Sequence, residues 1–89
     1  VFVPKAFTPN NNGANDALRP ILYNIKELHY FKIYNRWGQM VFETNEMGRG
    51  WDGSIKGLQQ PEETYSWILE CVGVDGKLIK QSGRSLLMR

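Results

Sequence analysis

Residues able to perform nucleophilic chemistry are scarce in this sequence. The 89 residues include one histidine, His29, and one cysteine, Cys71. A thiol becomes a nucleophile when an imidazole lies within hydrogen-bond reach and a third group orients that imidazole. His29 and Cys71 fall in different predicted strands, which favours a half-exposed histidine and a buried cysteine over a catalytic pair. We therefore predict that the protein is not an enzyme and needs no cofactor.

The acidic residues give no stronger catalytic signal. The nine carboxylates are scattered along the chain. Glu62 and Glu63 are adjacent, but they lie in a predicted loop and are most simply explained as a solvated turn. No glycine-rich loop precedes a predicted helix, so the sequence offers no phosphate-binding motif.

A polar loop, Thr8–Asp16, is the one segment whose composition could suit a metal ion. Its Asn10–Asp16 part offers side-chain oxygens and a glycine, as calcium-binding turns do. Asp16 is its only carboxylate, so a divalent cation would be poorly neutralised. The alternative is that the Asn and Asp side chains satisfy the loop's own backbone groups. We favour that alternative and predict no metal site.

Two residues at the tip of a predicted hairpin, Arg36 and Trp37, could bind a ligand. An exposed pair of this kind can stack on a sugar ring or on the side chain of a partner. In the competing interpretation, Trp37 folds back over the sheet edge and Arg36 is simply solvated. One aromatic residue does not make a binding platform, which favours the structural interpretation.

The element that positions Arg36 and Trp37 is a hairpin over Leu28–Glu43. Aromatic and branched residues, which suit a half-buried pleated surface, stand on both sides of one turn. Asn35 and Gly38 bracket that turn, where a short polar residue and a glycine are favoured. This is the strongest strand signal in the chain.

The N-terminal half also contains weaker strand patterns. Val1–Phe7 predicts a short edge strand, because Pro4 cannot donate to a ladder. Arg19–Tyr23 predicts a second, weaker strand. Trp51 stands alone in the glycine-containing stretch 44–60, and we expect its large ring to attach this loop to the core.

A second hairpin is predicted near the end of the chain. Thr64–Val72 alternates apolar and polar residues, and Asp75-Gly76 is a strong two-residue turn signal. Lys77–Gln81 is the predicted returning strand. Gly83 is expected to end it, and Ser85–Met88 forms a last apolar segment.

These elements predict a single all-β domain. No segment shows a helical period, and turn signals recur about every ten residues, the spacing of a sandwich of short strands. We expect about seven strands in two packed antiparallel sheets. The net charge of +2 is too small for a nucleic-acid-binding protein. No apolar run approaches the ~20 residues of a membrane helix, so we predict no membrane insertion.

Short motifs are spread in order along almost the whole chain: Phe7-Thr8-Pro9-Asn10, Gly13, Asn15-Asp16, Asn35-Arg36-Trp37-Gly38, Val41-Phe42, Trp51-Asp52-Gly53, Gly57, Pro61, Thr64-Tyr65, Gly83, Leu87 and Arg89. Each motif is weak alone, but the ordered set is specific. The set resembles the gliding-motility-associated C-terminal domain, also called the type B C-terminal domain of type IX secretion cargo.

The sequence departs from that family's usual pattern at three places. Asn11-Asn12 stands where the family usually has Gly-Asp, which removes a carboxylate from the polar loop. Glu63 replaces a glycine before the Thr-Tyr pair, and Lys5 replaces an asparagine. The hairpin and the C-terminal segment are unaffected.

The resemblance implies a function in secretion. The family occurs at the C-terminal ends of large secreted and surface proteins of Bacteroidota, adhesins among them. It implies that the domain directs its parent protein from the periplasm across the outer membrane, to the cell surface or the medium. The implied partners are proteins of the type IX secretion machinery and upstream domains of the same chain. Since Val1 is not a methionine, we expect residues 1–89 to be one C-terminal sorting domain cut from a larger secreted protein.

The resemblance also implies an immunoglobulin-like β-sandwich, in which the Tyr65 hydroxyl would bond back to the preceding loop as a tyrosine corner. The residues expected to maintain this fold are Asn35, Arg36, Trp37, Gly38, Trp51, Asp52, Gly53 and Tyr65.

Recognition by the secretion machinery is expected in the last strands. The candidate residues are Lys77, Lys80, Gly83, Arg84, Leu87 and Arg89. For each of them the alternative is ordinary sheet structure with solvated charges. A competing function is an immunoglobulin-like binding module that would use Arg36, Trp37 and the loop Asn10–Asp16 to bind a polysaccharide or a protein.

Overall fold

The computed structural model describes residues 1–9 and 16–89. Within them the chain forms seven strands and no helix: β1 (Ala6–Phe7), β2 (Ile25–Tyr34), β3 (Met40–Thr44), β4 (Ser54–Ile55), β5 (Leu58–Gln59), β6 (Thr64–Gly73) and β7 (Leu78–Leu87). Five of these strands form a mixed sheet in the order β1-β7-β6-β2-β3, and β4 pairs with β5. The prediction of an all-β sandwich is confirmed.

The sheet is built around the three long strands β2, β6 and β7. All of its pairs are antiparallel except β1–β7, which is parallel. The two predicted hairpins, β2–β3 and β6–β7, are present. Gly76 in the second turn has φ 83°, a backbone conformation that glycine adopts without strain.

The core lies between this sheet and a less regular layer. Trp51 packs edge-on against Tyr65, with ring centroids 4.9 Å apart, and lies 5.8 Å from the ring of Phe7. Opposite the sheet, isolated bridges join Leu18 to Trp51 and Phe2 to Ile21. The second layer is therefore held by aromatic packing more than by a continuous ladder.

The N-terminal segment divides between the two layers. Phe2 pairs with Ile21, whereas Ala6 and Phe7 pair with the end of β7. Pro4 lies between these pairings, where the missing N–H costs no ladder bond. The edge strand predicted over Val1–Phe7 is thus reduced to the last two residues of that range.

The second weak strand, predicted over Arg19–Tyr23, is wrong. This segment makes a single bridge, at Ile21. Pro20 lacks an N–H, and Tyr23 is exposed to solvent instead of alternating into the core.

The predicted break at Gly83 is also wrong, because β7 continues through it to Leu87. Gly83 lies directly opposite Trp67 on β6. A Cβ added at Gly83 would approach Trp67 Cζ2 to 2.7 Å. The indole ring therefore covers the glycine and supplies the packing that the missing side chain cannot.

The described part of the chain contains no helix long and apolar enough to cross a membrane.

Candidate recognition surface

Side chains of β7 alternate between the two faces of the sheet. The face that packs on the core, called the inner face, receives Ser85 and Leu87, which are buried. The opposite, outer face carries Lys80, Ser82 and Arg84, which are exposed. Strand geometry thus presents polar and cationic side chains on one side while the other side is anchored.

The two edges of β7 also differ. β6 pairs with β7 along its length, from Leu78 to Leu86. β1 pairs only with Leu86 and Leu87. Within the described residues the stretch Leu78–Arg84 therefore has no strand on its second side, and we call this side the free edge.

Three of the predicted recognition residues lie beside the free edge. Lys77, Lys80 and Arg84 are exposed. The Lys80 ammonium lies 3.6 Å from the Glu70 carboxylate on β6. The Lys80 side chain stays 68% exposed in this pair, so all three cations remain accessible to a partner.

The other three predicted recognition residues make contacts within the domain, although Arg89 is exposed. Gly83 lies against the Trp67 ring, and Leu87 is fully buried. The Arg89 guanidinium donates hydrogen bonds to the carbonyl oxygens of Gly53 (2.9 Å) and Gln60 (2.8 Å). In this structure these residues shape and fix the last strand, and recognition through them stays a prediction.

The hairpin tip is held by Asn35. Its side-chain oxygen accepts hydrogen bonds from the N–H groups of Trp37 (2.9 Å) and Gln39 (3.0 Å). Gly38 has φ 80°, and its N–H bonds to the Asn35 carbonyl. The motif therefore fixes the turn through the short polar side chain and the glycine that the sequence singled out.

Arg36 and Trp37 project from this turn. Trp37 is 72% exposed, so the interpretation in which it folds back over the sheet edge is wrong. The Arg36 guanidinium lies 4.8 Å from the Trp37 ring centroid, which is cation–π distance. Its Nε lies 3.5 Å from Glu63 Oε2. Trp37 thus stacks on Arg36 and not on the sheet. The contacts with Trp37 and Glu63 together orient the Arg36 guanidinium.

A cleft of about 390 Å³ brings this turn together with β7. It is lined by Asn35, Arg36, Gly38, Thr64, Ser66 and Arg84, and we call it the arginine cleft. Tyr34 pairs with Ser66, which pairs with Arg84 across the sheet. Sequence reasoning assigned Arg36 and Arg84 to separate groups, and only the strand register reveals that they share one cleft.

The motif Trp51-Asp52-Gly53 joins the second layer to the end of β7. Trp51 is buried, and its indole N–H donates to the Ser54 carbonyl (2.9 Å). Asp52 accepts hydrogen bonds from Ser54, and a Cβ at Gly53 would lie 2.9 Å from Leu87 Cδ1. Gly53 also has φ 83°, so a side chain there would be strained on both counts.

The hydrogen bond expected of Tyr65 is present. Its hydroxyl donates to the Pro61 carbonyl over 2.8 Å. Burial, followed by the nearby Glu63 carboxylate, raises the pKa of Tyr65 above its usual value. The phenol therefore remains protonated and acts as the donor that ties the loop to β6.

The sheet separates His29 from Cys71 although β2 and β6 are neighbours. Cys71 lies opposite Leu28, is fully buried, and has its pKa raised by burial. A bulge between Leu28 and Tyr30 directs His29 to the outer face, where its Nδ1 lies 2.7 Å from Glu70 Oε2. The histidine therefore pairs with a carboxylate and not with the thiol.

The calcium interpretation of the polar loop falls mainly outside the described residues. Of the loop Asn10–Asp16, only Asp16 is among the described residues, and residues 10–15 lie outside them. The rest of the described chain contains no group of three His, Cys, Asp or Glu side chains arranged for a metal ion.

The comparison with known families adds the functional class. The chain matches the family model of the CHU_C type IX secretion signal domain over residues 1–84. No curated protein matches the chain. With its all-β fold, this protein belongs to the type IX secretion signal domain family. It serves as a C-terminal secretion and sorting signal, which directs export toward the cell surface or the medium. The match does not favour the competing function of a binding module.

Proposed function

We propose that this domain carries a larger upstream protein across the outer membrane by presenting β7, in folded form, to a receptor of the type IX machinery. The observation that supports this most is the structure of β7 itself. One part of the strand has a free edge lined by exposed cations, while its end is anchored in the core. The domain acts by recognition and not by catalysis.

The anchoring makes β7 a defined surface and not a flexible tail. Leu87 is buried, and the Ser85 hydroxyl bonds to the Pro4 carbonyl. Arg89 bonds to two loop carbonyls beyond the strand. A receptor would therefore pay little ordering entropy when it binds the strand.

The proposed cargo lies upstream of Val1. In this proposal it enters the periplasm first, and the folded domain is then recognised on its way to the cell surface. Charged residues around the free edge would speed the encounter with an oppositely charged receptor. The residues assigned to this encounter are Lys77, Lys80 and Arg84.

The test is export of an inert reporter. Residues 1–89 would be fused to the C-terminus of a stable periplasmic protein in a bacterium that has a type IX secretion machinery. We expect the reporter in the medium or on the cell surface, and its loss from those fractions when the machinery is deleted. Retention of the wild-type fusion in the periplasm would overturn the proposal.

Substitution tests the surface better than deletion does. Removing residues 83–89 would take Leu87 out of the core, so lost export would report unfolding. A triple variant with Lys77, Lys80 and Arg84 changed to Gln leaves the core intact. Its matched control changes three other exposed cations, Lys5, Lys26 and Arg49. Export should fall in the first variant and persist in the second.

A further inference from the structure

The free edge of β7 exposes backbone hydrogen-bonding groups in a regular row. The Leu87 N–H points toward β6 and donates to the Glu63 carbonyl, whereas the Leu86 N–H points away and donates to the Lys5 carbonyl. Since the β6–β7 register is continuous, the backbone groups of every second residue before Leu86 also point away from β6. These residues are Leu78, Lys80, Ser82 and Arg84.

None of these four residues has a strand partner on that side among the described residues. An unpaired row of N–H and C=O groups is a template for an added strand. A peptide backbone pairs with such a row, while a sugar or a small anion cannot.

The charges along the free edge determine which kind of partner strand can pair with it. Lys77, Lys80 and Arg84 line the edge. A second copy of the same edge would bring like charges together, which is destabilising. An extended segment rich in Asp or Glu would instead be attracted, and held more strongly at low salt.

The arginine cleft lies at one end of this row. Arg84 contributes its backbone to the free edge and also lines the cleft, together with Arg36. Arg36 is oriented by Trp37 and by Glu63, which approaches its Nε. Two guanidinium groups with neighbouring hydroxyls of Thr64 and Ser66 suit a carboxylate.

We propose that the free edge of β7 accepts an extended acidic segment of a secretion-machinery protein as an added strand, with one carboxylate of that segment in the arginine cleft. This inference rests on the proposed function, because it describes the receptor of the same surface. It gives the hairpin tip a binding role in addition to its structural one.

The binding test uses the 89-residue chain and a blocked peptide of alternating Glu and Thr. Trp37 is exposed whereas Trp51 and Trp67 are buried, and Trp37 stacks on Arg36 of the cleft, so a change in indole emission reports mainly on the hairpin tip beside the cleft. We expect the peptide to change this emission and to shift the amide resonances of 78–84. Binding should weaken as salt is added, and the same peptide with Gln in place of Glu should not bind.

Variants separate the two parts of the site. Arg36→Gln and Arg84→Gln should each weaken peptide binding about tenfold, as expected for loss of a charge-assisted hydrogen bond. Ser82→Pro removes an outward N–H without a loss to the β6 ladder, and it should weaken binding similarly. Arg49→Gln, which removes the same charge elsewhere, should leave binding unchanged.

Inorganic phosphate provides the opposing outcome. If phosphate binds as tightly as the Glu peptide and Ser82→Pro has no effect, the cleft takes a lone anion and the strand-addition proposal is overturned. Absence of binding by the Glu peptide overturns it as well.

Export of the reporter distinguishes the failure of this inference from that of the proposed function. If the wild-type fusion and the Ser82→Pro and Arg84→Gln fusions are all exported equally, strand addition is wrong and the proposed function stands. If the wild-type fusion is retained, both are wrong. Loss of export in both variants, with unchanged thermal unfolding, supports both.

Discussion

The two halves of β7 have opposite environments. Leu78–Gln81 pairs on one side only within the described chain, and most of its side chains are exposed. At the other end of the strand, Leu86 and Leu87 also pair with β1, and Ser85 and Leu87 are buried. The same strand therefore supplies an accessible segment and the anchor that fixes its position.

This difference shows how a small domain can present a strand edge without self-associating through it. An exposed edge invites unwanted pairing, and natural proteins protect such edges with cations and short pairings. Here Lys77 and Lys80 lie beside the free edge, while β1 pairs with the end of the strand. Specificity for an acidic partner and protection from self-association can come from the same charges.

The largest expected effect on stability comes from shortening the buried leucine of β7, compared with shortening an exposed leucine of the same strand. Leu87 is 0% exposed and Leu78 is 56% exposed. Leu87→Ala should lower the free energy of unfolding by about 2–5 kcal/mol because it leaves a cavity in the core. Leu78→Ala should change it by less than about 0.5 kcal/mol. Denaturant unfolding measures both, and equal effects would contradict the division of the strand.

The next largest effect on stability comes from proline substitutions, which remove an N–H group from one edge of β7 or from the other. Gln81 pairs with Leu69, and its N–H points toward β6, whereas the Ser82 N–H points to the free edge. Gln81→Pro should lower the free energy of unfolding by at least about 2 kcal/mol more than Ser82→Pro, because it breaks a ladder bond and leaves a buried carbonyl unpaired. Comparable unfolding midpoints for the two variants would show that the assigned edge is not free.

A smaller effect is expected at the junction of the halves. Gly83→Ala places a methyl group 2.7 Å from Trp67 Cζ2, so the indole must move. Overpacking of this kind costs about 1–3 kcal/mol. Tryptophan emission should shift as the ring is displaced, while the neighbouring Ser82→Ala should leave both emission and stability unchanged. A wild-type spectrum for Gly83→Ala would mean that Trp67 does not cover this glycine.

The smallest effect concerns the ion pairs beside the open half. The hydrogen bond to Glu70, with further support from Glu27, raises the pKa of His29 from 6.5. The same bond, aided by Lys80, lowers the pKa of Glu70 from 4.5. The histidine contribution to stability is full below about pH 6.5 and is lost as pH rises through the raised pKa. The Glu70 contribution is present above about pH 4.5 and is lost as pH falls through the lowered pKa.

The cluster should therefore stabilise the protein most between these two pH values. His29 is exposed and Glu70 is only partly buried, so solvent screens the pair and the effect is small. His29→Gln should flatten the pH dependence of the unfolding midpoint in this range. An unchanged profile would show that the cluster adds nothing to stability.

The local parts of the fold could be predicted from the sequence. The hairpin over Leu28–Glu43 and the turn at Asp75-Gly76 depend on residue types close together in the chain, and both are present. Trp51 is in the core as expected, because neighbouring glycines cannot cover its large ring and only the core can bury it.

The features that depend on pairing between distant residues could not be predicted. Gly83 was expected to break a strand, since the sequence does not show that Trp67 lies opposite it. The burial of Leu87 and the presence of Arg36 and Arg84 in one cleft likewise follow from register across three strands. The family resemblance suggested the last strands as a candidate surface, but only the pairing of β7 shows which part of it is accessible.

The contact between β1 and the end of β7 also has a mechanical consequence. The two strands run parallel, with Leu86 and Met88 donating hydrogen bonds to Lys5 and Phe7. When Val1 is pulled against Arg89, these bonds lie across the direction of force and are loaded in shear, so they must rupture together instead of one at a time. Under the proposed function, a pull from the cargo on the N-terminal side would therefore load the joint that fixes β7 in shear.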